Sequence, residues 1–284
     1  MSRVAVITDS ASDLTPAQAA AGNVTLVPLL AYFGDKEYRA GVDMSAEEFW
    51  QELNRPGAPF PRTSAAAPGT FKEAFDKAFA DGADEIVCVS VGSKLSATIK
   101  SAQIAAEMLP GKPIHVVDTE SATLCQGLLA LTAGAMAAVG AGAQEIVDNL
   151  ERRRNTARLY LVLDTLEYLK RGGRISSAQA AIGSVLSVKP IITIEDGVVE
   201  TADRPRTRGK ARARLLELFE GVKQPERVAI LDCKAPEVAS FADDLAKLLK
   251  FPREEMTFNL VGPSVGPHVG PGSYGAVVLP RLDP

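Results

Sequence analysis

The chain has 284 residues, 46% hydrophobic, 6% aromatic and 23% charged, with 31 Lys plus Arg against 35 Asp plus Glu and a formal net charge of -4. That is enough apolar residue for a folded protein of two domains at roughly 100–200 residues each, and the acidic balance excludes a nucleic-acid binder whose affinity rests on excess positive charge. Three scattered cysteines, Cys88, Cys125 and Cys233, and only two histidines, His115 and His268, suggest neither a disulfide framework nor a metal site, so a reducing cytoplasm with no metal and no cofactor is expected.

In chain order, residues 3–9 read as a buried β-branched strand rather than a secretory signal. Thr15-Pro16 caps a short helix, and a single apolar run covers Val24 to Ala31. Ser45 with Glu48 and Thr70 with Glu73 have the spacing of capping boxes, which predicts helices starting just after each. Between them lies the proline-rich connection 54–69, which contains Arg62-Thr63-Ser64. A strand at 85–91, a helix opening near Ser96 and a strand at 114–118 follow. The Ala- and Gly-rich segment 127–143 lacks the Leu, Ile and Phe weight of a membrane span and reads as a buried helix.

The basic helix end Glu151 to Arg154 marks a change of character, and a domain boundary is placed at 155, giving domains 1–155 and 156–284. Beyond it come a strand at 158–162, helical stretches at 165–170 and 176–186, and a hairpin from Lys189 turning at Asp196-Gly197. A strand, a helix and a strand lead to the glycine- and proline-rich loop 262–275 and a last strand at 276–279. The expected fold is α/β in two domains. The first is a three-layer α/β/α domain on a parallel sheet, and the second is a two-layer α/β domain with a mixed sheet.

Several clusters carry candidate chemistry. Asp9-Ser10-Ala11-Ser12-Asp13 ends the first strand, where open parallel sheets place ligands, although these residues also build turns. Ser90 to Thr98 brings hydroxyls and free N–H groups to a helix start, which suits an oxyanion and equally a plain cap at Ser96. Two basic loops, Leu169 to Ile175 and Arg204 to Lys210, read either as solvated faces or as docking points for an acidic or phosphate-bearing partner. His268 sits where glycines permit close approach and prolines limit movement, a setting for a held functional imidazole.

Seven blocks in order carry a family resemblance: VITDSASDL at the start, Thr63-Ser64 with Pro68-Gly69, SKLSAT at 93–98, VVDTESATLCQG at 116–127, LDTLEYLKRGGRIS at 163–176, RTRGKA at 206–211 and GPHVGPGSYG at 266–275. Together they resemble the DegV family, bacterial fatty-acid-binding proteins that serve as the B subunit of fatty acid kinase. The resemblance implies a long-chain fatty acid in a tunnel, its carboxyl held by hydroxyls near the domain junction. Thr63 and Ser96 match the carboxylate-binding hydroxyls, and Ser64, Ser93, Arg174 and His268 complete the implied polar network. Arg171, Arg206 and Arg208 are the implied contacts to a separate ATP-dependent kinase subunit. The chain departs from the family at Ala65-Ala66-Ala67, at Ala97 where glycine is usual, and at Val269 where threonine often follows the histidine.

The function implied is substrate presentation rather than catalysis. The chain would bind the acid and offer its carboxyl for conversion to acyl phosphate, and no P-loop or kinase signature is present in it. The implied partners are the fatty acid and the kinase subunit. No nucleic acid and no integral membrane segment are expected, which leaves room for transient contact with a membrane surface. Two other readings are a serine hydrolase and a phosphometabolite sensor. The first would use Ser93 or Ser96 with His268 and Asp9 or Asp118; the second predicts a wet polar cleft.

Overall fold

The computed structural model describes residues 2–175 and 188–282, so the helix expected at 176–186 lies outside the described residues. Four β-branched segments form a parallel sheet: β1 (Val4–Asp9), β2 (Val24–Val27), β6 (Glu85–Ser90) and β7 (Ile114–Asp118), in the order β2-β1-β6-β7. The apolar run at 24–31 is not one strand. Pro28 has no N–H to continue the ladder, so the chain leaves the sheet after Val27 and re-forms as β3 (Leu30–Phe33) in a separate antiparallel sheet. Its partners there are β4 (Lys36–Arg39) and β5 (Arg62–Ser64), and β5 carries Thr63.

The expected caps at Thr15 and Ser45 are formed: each side chain accepts the backbone N–H three residues on, at the starts of α1 (Pro16–Ala21) and α2 (Ala46–Leu53). The box expected at Thr70 is not. α3 runs Pro68–Ala80 from Ala67 without a side-chain cap, because Pro68 has its φ preset for the first helical position and starts the helix earlier. α4 (Thr98–Glu107) has Ala97 as its cap, so its first residue falls two past the expected opening near Ser96.

α3 and α4 cover one face of the parallel sheet, with Phe71, Phe75 and Ala102 against Ile7, Ile86 and Cys88. α5 (Thr123–Ala138) and α6 (Ala143–Arg154) cover the other. The Ala- and Gly-rich helix therefore begins four residues before the expected position and ends ahead of Gly140. Its composition follows from its place. α5 also packs on a second sheet and is buried almost all round, and a β-carbon at Gly134 would overlap the Gly22 carbonyl.

That second sheet is mixed and six-stranded, in the order β10-β9-β8-β13-β11-β12. It comprises β8 (Arg158–Val162), β9 (Ile191–Glu195), β10 (Val198–Asp203), β11 (Pro225–Asp232), β12 (Thr257–Leu260) and β13 (Tyr274–Pro280). The Asp196-Gly197 turn, both residues at positive φ, joins β9 to β10 as the dipeptide predicts. Alternation along β8 sends Leu159 and Leu161 toward α5 and the first sheet. It sends Tyr160 and Val162 toward α8 (Arg208–Phe219) and α9 (Val238–Leu249), which seal the outer face. One apolar cluster runs from Val4 and Val89 through α5 to Leu231 and Val277, so the two sheets share a core.

Candidate functional site

The acidic loop after β1 turns out to be bracing. Asp9 is fully buried and accepts N–H groups from Ala11 and Val91, both at 3.0 Å, tying the β1 and β6 loops together. Burial raises its pKa above the ordinary carboxylate value. Asp13 reaches across to the second sheet, accepting the Gly262 N–H at 2.8 Å and the Thr123 hydroxyl at 2.6 Å. Burial pushes its pKa up to about 7. Beside it Asn259 donates to the Asp13 carbonyl and pairs with Gln18, and Trp50 Nε1 donates to the Val261 carbonyl at 2.8 Å.

Above these braces lies a cavity between the two sheets, open to solvent at its mouth. Its walls are mainly aliphatic: Leu29, Val91 and Leu95 from the first half, and Leu159, Leu161, Ile192, Ile194, Val199 and Leu231 from the second. The polar lining includes Thr63, Ser64, Ser96, Arg174, Ser264 and His268. Five of the six expected binding residues therefore converge, although Thr63 and His268 stand 205 positions apart in the chain. Ser93 does not join them. It is exposed and absent from the lining, because Asp118 accepts its N–H at 3.2 Å and holds the loop outward.

His268 is on α10 (Gly266–Val269), a single turn inside the glycine-rich loop. Its Nε2 lies 3.0 Å from the Thr63 hydroxyl, while its Nδ1 is buried with no hydrogen-bond partner among the described residues. The ring rests on the end of α7 (Glu167–Arg171), where a β-carbon on Gly172 would overlap Nδ1. The first glycine of the KRGGR block thus makes room for the imidazole, and the second takes the left-handed φ of 71°. Burial, then the Arg174 charge, lower the His268 pKa to about 4, so the ring is neutral at physiological pH. The positive charge at this end belongs to Arg174, oriented by its donations to the carbonyls of Leu95 at 3.0 Å and Gly172 at 2.6 Å.

Ser96 bonds the Thr98 hydroxyl at 2.8 Å and accepts the Thr98 N–H, so His268 orients Thr63 but not Ser96. Ser64 is exposed at the mouth and bonds only its neighbour's carbonyl. Sequence reasoning passed over Ser264, whose hydroxyl meets that of Ser10 at 2.8 Å, while Ser10 accepts the Leu29 N–H. Its place within the same glycine- and proline-rich loop as His268 was the available signal.

Among the described residues no hydrolase triad is assembled: His268 contacts neither Asp9 nor Asp118, and no described serine hydroxyl is within hydrogen-bonding distance of it. Of the expected partner-facing arginines, Arg171 is exposed and stacks 3.7 Å over the Phe60 ring. Arg206 is exposed and makes no hydrogen bond or ion pair among the described residues. Arg208 is held inside the fold by Glu237 at 2.9 Å, Asp164 at 3.4 Å and the Gly272 carbonyl at 2.7 Å.

The family model described as "Uncharacterised protein, DegV family" matches residues 3–281. The chain belongs to the DegV family. A DegV domain-containing protein of Streptomyces coelicolor is 36% identical over 286 residues, covering 99% of this chain and 100% of that one. A DegV family protein of Thermus thermophilus, described as fatty-acid binding, superposes with a TM-score of 0.89 at 36% identity over 98% of this chain and 100% of its own. DegV of Bacillus subtilis, a fatty acid binding protein, gives 0.87 at 29% identity over 99% and 100%. The DegV blocks at 63–64 and 93–98, the described part of the 163–176 block and the block at 266–275 all contribute residues to this cavity's lining. Among the described residues, no helix is long and apolar enough to cross a membrane.

Proposed function

We propose that this DegV protein binds a long-chain fatty acid, with the carboxylate among Thr63, Ser96, Arg174 and His268, and presents it to a separate ATP-dependent kinase subunit. The observation that carries the reading is the cavity itself: an aliphatic chamber whose lining also holds hydroxyls, His268 and one cation, Arg174. Each buried methylene contributes ~0.8 kcal/mol, so a chain of about sixteen carbons gains on the order of 12 kcal/mol before association costs. The few polar groups need only fix the head. A phosphometabolite would leave these aliphatic walls unused, which disfavours the sensor reading.

Thr63 supports the presenting role. With Nε2–H of neutral His268 donating to its oxygen, the Thr63 hydroxyl proton is free to point at a carboxylate oxygen, and Arg174 supplies the countercharge. The kinase step needs no further group from this chain: a carboxylate oxygen takes the terminal phosphoryl group of ATP, and ADP leaves. Arg206, exposed and without a hydrogen bond or ion pair among the described residues, and Arg171, exposed over Phe60, are the cations this reading assigns to the partner.

Organic extraction and mass spectrometry of purified protein test the binding reading, with about one long-chain acid per chain expected. Folded protein that carries no lipid, and takes none when offered, would overturn it. The kinase reading is tested by adding a fatty acid kinase subunit, ATP and hydroxylamine, which traps acyl phosphate as a hydroxamate. No hydroxamate above the level without this protein would refute it.

A further inference from the structure

The cavity has a direction that the strands define. β8 runs from Arg158 to Val162 and continues into α7, whose end meets His268 at Gly172. Four residues separate Leu163 from Leu159, roughly 13 Å at ~3.3 Å per residue, so Leu159 lies toward the end away from the head-group hydroxyls. At that end the sheet comes apart. β8 stays paired to β13 as far as Arg158, and β9 stays paired to β10 as far as Glu195. Between themselves β8 and β9 pair only at Leu161 with Ile192 and at Val162 with Ile191.

Where the two strands part, a polar cleft lined by Glu120, Arg154, Arg158, Tyr160 and Asp196 fills the gap. Leu159, Thr193 and Ile194 line both this cleft and the aliphatic cavity, so those three residues form the boundary between them. A closed aliphatic end would exclude chains longer than itself by overlap, and would reject a terminal hydroxyl by stripping its water without replacement. Neither barrier stands where the cavity meets a hydrated, hydrogen-bonding cleft.

We propose that the split between β8 and β9 is a tail port. Through it the site admits fatty acids longer than the cavity and fatty acids ending in a hydroxyl group. The inference rests on the fatty-acid reading and deepens it to substrate specificity. Methylenes beyond the port enter polar surroundings and add little, so affinity levels off with chain length instead of collapsing.

The test uses the full-length protein stripped of lipid and three ligands: hexadecanoic, docosanoic and 16-hydroxyhexadecanoic acids. The wild type is expected to bind the last two within about fivefold of the first. Ala157→Trp places an indole in the cleft without altering the aliphatic lining. It should weaken the long and hydroxylated acids at least tenfold and hexadecanoic acid less than twofold. Asn155→Trp, at an exposed position of the same cleft, gives the same comparison should Ala157→Trp fail to fold. The port is overturned if the wild type rejects both unusual acids tenfold or more, or if a folded plugged variant treats all three alike. Failure to bind hexadecanoic acid itself would instead overturn the fatty-acid function on which the port depends.

Discussion

Asp13 and His268 are both buried ionisable side chains where the two sheets meet, and the chain surrounds them differently. Asp13 has both carboxylate oxygens engaged, by Thr123 within the first half and by Gly262, which ties it to the second. Among the described residues His268 has one partner, Thr63, and a second ring nitrogen with none. A polar group saturated by its own fold is a brace, because any ligand would have to displace a bond already made. The Thr63 hydroxyl, held by that one bond in an aliphatic chamber, keeps bonding capacity for something that arrives later. The contrast explains why the acidic loop after β1 closes the seam while the hydroxyls beside it remain available.

The largest effect that tests this contrast is a pH dependence. The Asp13 pKa stands at about 7 in the fold against 3.8 without it, so the unfolded chain gives up this proton first, and stability is lost as pH rises from about 4 to 7. The His268 pKa stands at about 4 against 6.5, so the unfolded chain takes up its proton first, and stability is lost as pH falls from 6.5 toward 4. The two slopes oppose each other. Asp13→Asn keeps both hydrogen-bonding positions, tolerates the left-handed φ of 52° and cannot ionise. It should stabilise the protein by on the order of 3 kcal/mol at pH 8 and change little near pH 4. Urea melts across that range check it, and an unchanged slope would mean that Asp13 is not a buried brace.

Next in size is the support under His268. Gly172→Ala puts a methyl group where Nδ1 lies, and relief requires the imidazole to move off Thr63. A loss of about 1–3 kcal/mol in stability is expected, with less fatty acid retained on purification. Full retention, with wild-type melting, would show that the ring position does not matter.

Thr63→Ala should weaken fatty-acid binding by about 1.5 kcal/mol, the scale of one hydrogen bond to a charged group. Ser96→Ala should weaken it less, because the Ser96 hydroxyl is already shared with Thr98. Equilibrium binding of one acid to the two variants decides the order, and a larger loss at Ser96 would reverse the assignment of the primary hydroxyl.

How much of this was legible in the sequence follows the range of the interactions. The parallel strands, the caps at Thr15 and Ser45 and the Asp196-Gly197 hairpin are set by neighbours a few positions apart, and they appear where the sequence puts them. Pro28 and Pro68 are local as well, yet they override the apolar run and the capping spacing around them, and those two readings shifted accordingly. The family blocks pointed to Thr63, Ser64, Ser96, Arg174 and His268, but nothing near Thr63 states that its partner lies 205 residues on. Ser93 stands outside the cavity for a related reason: the acid that accepts its N–H is Asp118, 25 residues away. Ser10 and Ser264 meet across 254 residues, and only the assembled seam shows them as a pair.

The smallest effect on the fold separates two arginines of one basic segment. Arg208 is saturated by Glu237, Asp164 and the Gly272 carbonyl, and Arg206, two residues earlier, is exposed and unpaired among the described residues. By the logic of the seam, Arg208 braces the loop that carries His268, and Arg206 is available to a partner. Arg208→Glu should therefore destabilise the protein, since it sets a third carboxylate against Asp164 and Glu237. Arg206→Glu should change stability by no more than about 0.5 kcal/mol, as expected of an exposed site, and should leave lipid content unchanged. It should nonetheless slow acyl phosphate formation with the kinase subunit and reduce the salt sensitivity of that rate, because reversing a steering charge alters encounter more than the pocket. Lipid occupancy measured on the same preparation separates the two effects. If Arg206→Glu lost its lipid while still docking to the kinase, this arginine would belong to the binding site, and exposure without a partner would no longer mark a docking residue in this fold.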